Sequence, residues 1–148
     1  MPRRYHLSMF LTELNWIAIL IGFVVFFAVG AVWFSPNVFY LRWVKLMGLT
    51  PEENQGLGHH GMAFVFGLTA LGALVQVTAI ASIIHFVDPS MGALGGALTG
   101  LLVGIGITAA SSLSHRLFSG QGIRVWLIEV GGDIVSLTLA GLVIGIFG

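Results

Sequence analysis

Two carboxylates, Glu129 and Asp133, stand four residues apart inside the otherwise apolar run 125–147. That spacing is just over one helical turn, so both fall on one face, roughly 6 Å and 12 Å along a helix counted from Val125. An ionised carboxylate near the middle of a bilayer costs at least about 2.5 to 3.5 kcal/mol, so such a residue faces a partner, water or a ligand. Two carboxyls on one face can take up and release a proton, or hold a small cation or polar solute. The competing reading is structural: Glu129 pairs with Arg116 or Arg124 near the membrane surface, Asp133 hydrogen-bonds to hydroxyls, and together they pin helices. Thr108 and Ser111 lie at a depth comparable to Asp133, and His115 follows on the same side. Gln76, deep in the run 62–84, poses the same choice between polar lining and helix–helix glue.

Other chemistries find less support. His59, His60, His115, Glu129 and Asp133 include ligand types for a divalent metal, yet no pair has a strong metal spacing such as two histidines four apart on a helix, and no metal site or cofactor is assigned. Ser111 and Ser112 precede His115 without a nucleophile-elbow pattern, and the glycines from Gly92 to Gly104 lack the lysine and the strand of a phosphate loop. No catalytic residue is therefore named, and an enzyme is the third reading. The chain has no cysteine, which removes disulfides, thiolate ligands and thiol redox chemistry. Its formal net charge of zero offers no field for nucleic acid.

The elements that must position these residues are membrane helices. The sequence is 57% hydrophobic and 8% charged, against about 25% charged in an ordinary soluble domain. Its mean hydropathy is +1.00. The expected fold is all-α, a single membrane domain over residues 1–148 with four spans near 16–34, 62–84, 92–113 and 125–147. Each is close to the 20 or so residues that cross a core of about 30 Å, and only helices satisfy their own backbone there. Arg3 and Arg4 ahead of the first run resemble the basic end of a signal peptide. The run of 19 residues, however, exceeds a signal core of about 7 to 15 and closes on Trp33 and Phe34. Residues 1–15 instead read as a short interfacial helix.

The third span carries small residues at every fourth position: Gly92, Gly96, Gly100, Gly104, Thr108 and Ser112. Bare positions on one stripe let another backbone approach, which is what drives helices together in lipid; in water each glycine would cost about 1 kcal/mol relative to alanine. The partner is either a neighbouring helix of the same chain or a second copy. Gly141 and Gly145 offer a second small face, and a homo-oligomer with the bilayer as its other partner is the expectation. Four short helices enclose little volume, so a path at a subunit interface is the easier construction.

Between the first two spans, Ser35 and Pro36 read as N-cap and first residue of a surface helix ending at Gly48, with Phe39 and Trp43 as interfacial anchors beside Trp33, and Arg42 and Lys45 flanking. Thr50-Pro51-Glu52-Glu53 opens another short polar turn, and Asp88-Pro89 marks a tight hairpin. Arg42, Lys45, Arg116 and Arg124 on the first and third connections outnumber Arg3 and Arg4 on the terminal side. The positive-inside rule then puts these connections in the cytoplasm and both termini outside, in a bacterial-type inner membrane.

Trp33-Phe34-Ser35-Pro36, followed by Phe39, Trp43, Lys45 and Met47-Gly48-Leu49, resembles the characteristic segment of DUF1761, a family of small bacterial four-span membrane proteins. The resemblance extends to Asn15-Trp16, Leu117-Phe118 and Ile134-Val135-Ser136-Leu137, and so spans nearly the whole chain. It implies the four-span topology and no assigned activity. Phe34 stands at that segment's tyrosine position, and Glu129 and Asp133 stand where the family pattern carries uncharged or histidine-like residues. The leading expectation is a multi-span protein that binds or passes a small ion or polar solute; the alternative is a structural or accessory membrane protein.

Overall fold

In the computed structural model of the chain, residues 11–54 and 61–147 are described. The interfacial helix expected over 1–15 and the histidines His59 and His60 therefore fall largely or wholly outside the described residues; residues 11–13 are helical. The fold is all-α, with four helices long and apolar enough to cross a membrane: Trp16–Trp33, Ala63–Val87, Gly92–Phe118 and Ile123–Phe147. In chain order, α1 is Trp16–Trp33, α2 is Tyr40–Leu46, α3 is Pro51–Asn54 and α4 is Met62–Val87. The third long helix is α5 (Gly92–Val103), a wide π-helical stretch (Gly104–Ala109) and α6 (Ala110–Phe118), and α7 is Ile123–Phe147. This is a multi-pass membrane protein.

Helix α7 is the centre. It packs most extensively on α5 and α1, and also against α4 and α2. Its contact with α5 is backbone against backbone. A β-carbon on Gly96 would collide with the Gly141 carbonyl oxygen, one on Gly100 with that of Leu137, and one on Gly145 with that of Gly92. Further along, a β-carbon on Gly104 would lie 3.1 Å from the Ile134 Cα. The bare stripe is thus used inside the chain, along two antiparallel helices. On the other side, Ile19, Val77, Ile80, Ile84, Leu137, Ala140 and Ile144 form a buried core where α1, α4 and α7 meet.

Asn15 ties two helix ends together. Its Oδ1 accepts from the Ala18 N–H (3.1 Å), capping α1, while its Nδ2 donates to the Phe147 carbonyl (3.0 Å) at the end of α7. Thr50 and Glu53 form a reciprocal capping box: the Thr50 N–H donates to Glu53 Oε2 (2.7 Å) and the Glu53 N–H to Thr50 Oγ1 (3.3 Å). The hairpin between α4 and α5 is held by Asp88 Oδ1, which accepts from the Ser90 N–H (2.8 Å) and hydroxyl (2.6 Å).

The first connection differs from the expectation. Ser35 and Pro36 do not begin the surface helix; they lie in a turn, and α2 starts at Tyr40. The turn wins because it is well bonded and brings two rings together. The Phe39 N–H donates to the Trp33 carbonyl (3.2 Å), the Ser35 carbonyl accepts from Val38 (3.1 Å) and Tyr40 (3.3 Å), and the Phe39 ring packs on Trp33 at 4.6 Å. Gly48, at φ +73°, supplies the left-handed residue that ends the helix after Met47.

Candidate functional site

Glu129 and the residues around it lie where the first turns of α7 meet the end of α1, the surface helix α2 and the end of α6. Glu129 stands at this junction, and its two oxygens are divided between partners. Oε2 pairs with Arg116 Nε at 2.6 Å, and Oε1 accepts from Trp43 Nε1 at 3.0 Å. Arg116 in turn donates through Nη1 to Gln121 Oε1 in the turn between α6 and α7. The pair is partly shielded, Glu129 being 16% and Arg116 37% exposed. One carboxylate therefore fastens α2, α6 and α7, and of the two arginines expected to reach it, Arg116 does.

Two other indoles point inward beside it. Trp33 donates to the Ile128 carbonyl at 2.8 Å and lies flat on the backbone at Gly131 and Gly132, where an added β-carbon would meet the ring at 2.9 Å. Trp126 donates to Ser112 Oγ (3.1 Å) and to the Ala109 carbonyl (3.3 Å), which also accepts from the Ser112 hydroxyl (3.2 Å). Trp33 and Trp43, expected as anchors in the lipid interface, thus spend their N–H groups on α7.

The π-helical stretch explains why the small-residue stripe does not continue as the four-residue spacing implies. The wider turn admits about one extra residue. Gly104 is buried against α7, and the next buried small residue is Ala109, not Thr108. Thr108 is only partly buried. Ser111 is exposed and folds its hydroxyl back on the Thr108 carbonyl at 3.2 Å. His115 is exposed.

Asp133 is one turn deeper than Glu129, partly buried, and makes no hydrogen bond with any described residue. It lies within electrostatic reach of Glu129 and Arg116. The hydroxyl partners expected for it in Thr108 and Ser111 do not engage it. Gln76 is elsewhere. Gly22 brings Val77 level with Ala140, since a β-carbon there would lie 3.2 Å from Val77 and 3.5 Å from the Ala140 carbonyl oxygen. Ala140 is seven residues from Asp133, so Gln76 sits about 10 Å away in depth. The expected polar cluster therefore divides into a Glu129–Arg116 network, an Asp133 beneath it that hydrogen-bonds to none of the described residues, and a separate Gln76.

Arg116 was legible as a partner of Glu129; Trp43 was expected as a lipid anchor and Ser112 as part of the small-residue stripe, and Gln121 and Trp126 were not singled out. Their signal was the position of Trp126 at the start of a span, opposite the Ser111-Ser112 pair at the end of the preceding one. Among the described residues no group of three or more His, Asp or Glu is placed to hold a metal ion. A shallow groove of about 280 Å³ lined by Glu13, Asn15, His85 and Ile144 lies at the opposite end of the bundle, away from this chemistry.

A family model described as "Protein of unknown function (DUF1761)" matches residues 17–145. No curated protein and no solved structure matches the chain. The matched stretch includes all four long helices almost entire, together with Trp33, Trp43, Arg116, Glu129 and Asp133, and the chain belongs to the DUF1761 family.

Proposed function

We propose that this membrane protein binds, and lets pass, a proton or small cation at Asp133. The observation that carries this reading is a carboxyl group inside a membrane span with no hydrogen-bond partner among the described residues, directly below a carboxylate whose partners are complete. A carboxylate held in lipid without partner, water or ligand is costly, so the Asp133 oxygens are the ones free to take a proton or ligate a cation. Glu129, Arg116, Gln121 and Trp43 form the lid over it on the side of the first and third connections. Those connections face the cytoplasm in this reading, as Arg42, Lys45, Arg116 and Arg124 favour, in a bacterial-type inner membrane.

A hydrophobic carbodiimide, which modifies protonated carboxyls within membranes, tests it. Asp133 should be the labelled residue, Glu129 should be spared, and a bound cation should protect. Labelling of Glu129 in preference to Asp133 would sink the proposal.

The alternative is a structural or accessory role. It is favoured by a specific observation: Glu129, Trp33, Trp43 and Trp126 all spend their polar groups on tying helices together. In that case the glycine stripe is a zipper that holds α5 on α7 and Asp133 serves assembly alone.

A further inference from the structure

Gln76 lies near the middle of α4, 14 residues after Met62 and 11 before Val87. The hydroxyl side chains in this helix satisfy themselves locally, and His85 at its end meets Glu13. The hydroxyls of Thr69, Thr78 and Ser82 each donate at 2.8 Å to the carbonyl four residues back. A glutamine amide has donors and an acceptor to place, and that of Gln76 bonds to no described residue. At mid-bilayer no water is present to take over, and an unsatisfied amide there costs several kcal/mol.

Gln76 is itself half-buried and edges an uncovered face. Gly72 is four residues before it, Ala79 three after, and Thr69 and Ile83 seven to either side, which puts them all on one stripe. Thr69, Gly72, Ala79 and Ile83 are exposed, and a β-carbon on Gly72 would meet nothing within 4 Å. The buried residues of α4 are Ala73, Val77, Ile80, Ala81 and Ile84, so Gln76, with Ala73 and Ile80 on one flank and Gly72 and Ala79 on the other, stands at the border between the covered side and this exposed one. The glycine stripe on α5 is already covered by α7 and leaves no comparable surface there.

We infer that this face of α4 receives a second copy of the same chain, as a parallel pair about a two-fold axis along the membrane normal, with the two Gln76 amides hydrogen-bonded to each other. The occupant follows from the group that needs satisfying. A two-fold axis of that direction brings each residue to its own depth in the partner, and an amide, being both donor and acceptor, is complementary to itself. Lipid tails offer nothing to it. Gly72 and Ala79, one turn to either side, let the backbones come close enough for the short reach between amides. This inference stands independently of Asp133.

The absence of native cysteine makes the test direct. Single variants Ala79→Cys, on the proposed face, and Leu71→Cys, 57% exposed on another side of α4, are oxidised in membranes. Ala79→Cys should give a disulfide-linked dimer and Leu71→Cys should not. Adding Gln76→Leu to Ala79→Cys should cut cross-linking about tenfold, as loss of interhelical hydrogen bonds predicts, with the thermal midpoint of the detergent-solubilised protein unchanged. Equal cross-linking at Leu71, no effect of Gln76→Leu, or a wild-type chain that stays monomeric in bilayers with Gln76 against lipid would each overturn the inference.

Discussion

Arg116 Nε and Glu129 Oε2 are 2.6 Å apart, and the other oxygen of Glu129 accepts from Trp43 at 3.0 Å. A surface helix and the ends of two spans are thereby fixed to one carboxylate. The pair is neither fully exposed nor fully buried, so its strength falls between the roughly 0 to 1 kcal/mol of surface pairs and the 3 to 5 kcal/mol lost when a buried pair is broken. Glu129→Gln is expected to destabilise by about 2 kcal/mol because it leaves Arg116 unpaired. A double-mutant cycle with Arg116→Gln, read by thermal unfolding in detergent, should return a coupling of about 1 to 2 kcal/mol. A coupling of zero would show that the two residues act separately.

The approach of α5 to α7 predicts opposite effects for two glycines. Gly96→Ala puts a methyl group into the Gly141 carbonyl and should cost about 3 kcal/mol, as overpacking does. Gly67→Ala, where an added β-carbon meets nothing within 4 Å, should be neutral or stabilise by up to about 1 kcal/mol through helix propensity. Unfolding midpoints of the two variants decide it; equal destabilisation would contradict the packing described.

Trp33 is expected to act through both its ring and its N–H. Trp33→Phe loses the bond to the Ile128 carbonyl and should cost about 1 kcal/mol. Trp33→Ala also uncovers Gly131 and Gly132 and should cost about 3 to 5 kcal/mol. If the two variants were equally stable, the ring would be resting in lipid and not on α7.

On the hairpin, the Ser90 hydroxyl and then its backbone N–H hold the Asp88 carboxyl below its ordinary value of 3.8. A depressed folded value means that the turn contributes stability above pH 3.8, and that this contribution fades as pH falls through the lower folded value. Ser90→Ala should shift the Asp88 titration upward and remove part of the stability seen above pH 3.8, leaving the acid limit unchanged. Titration of Asp88 by carboxyl NMR in wild type and variant checks the direction.

Much of the fold was legible because the bilayer imposes it. Runs such as 62–84 have no other stable arrangement in lipid, and Asp88-Pro89 permits little but a turn. The need of Glu129 for an arginine was legible as well, since a carboxylate at that depth demands one. The tryptophans were not. A Trp at the end of a span looks the same whether its indole meets headgroups or a neighbouring carbonyl, and only the inward turn at Ser35–Phe39 decides for Trp33 and Trp43. The π-helical stretch was hidden for a similar reason. The spacing of Gly104, Thr108 and Ser112 is regular, and what shifts the stripe to Ala109 is the tertiary fit against Trp126 and α7. The separation of Gln76 from Asp133 likewise depends on how far α4 slides along α1, which is set by packing between Gly22 and Val77.

The measurement that bears most directly on the proposed role of Asp133 is flux of protons and of monovalent cations into proteoliposomes holding the wild type or Asp133→Asn, with folding checked by thermal midpoint. If Asp133 carries the ion, wild-type flux exceeds that of empty vesicles and falls at least tenfold on Asp133→Asn, about 1.4 kcal/mol or more in the barrier, with the midpoint unchanged. Equal flux in the two proteins, or wild-type flux no greater than that of empty vesicles, would contradict it.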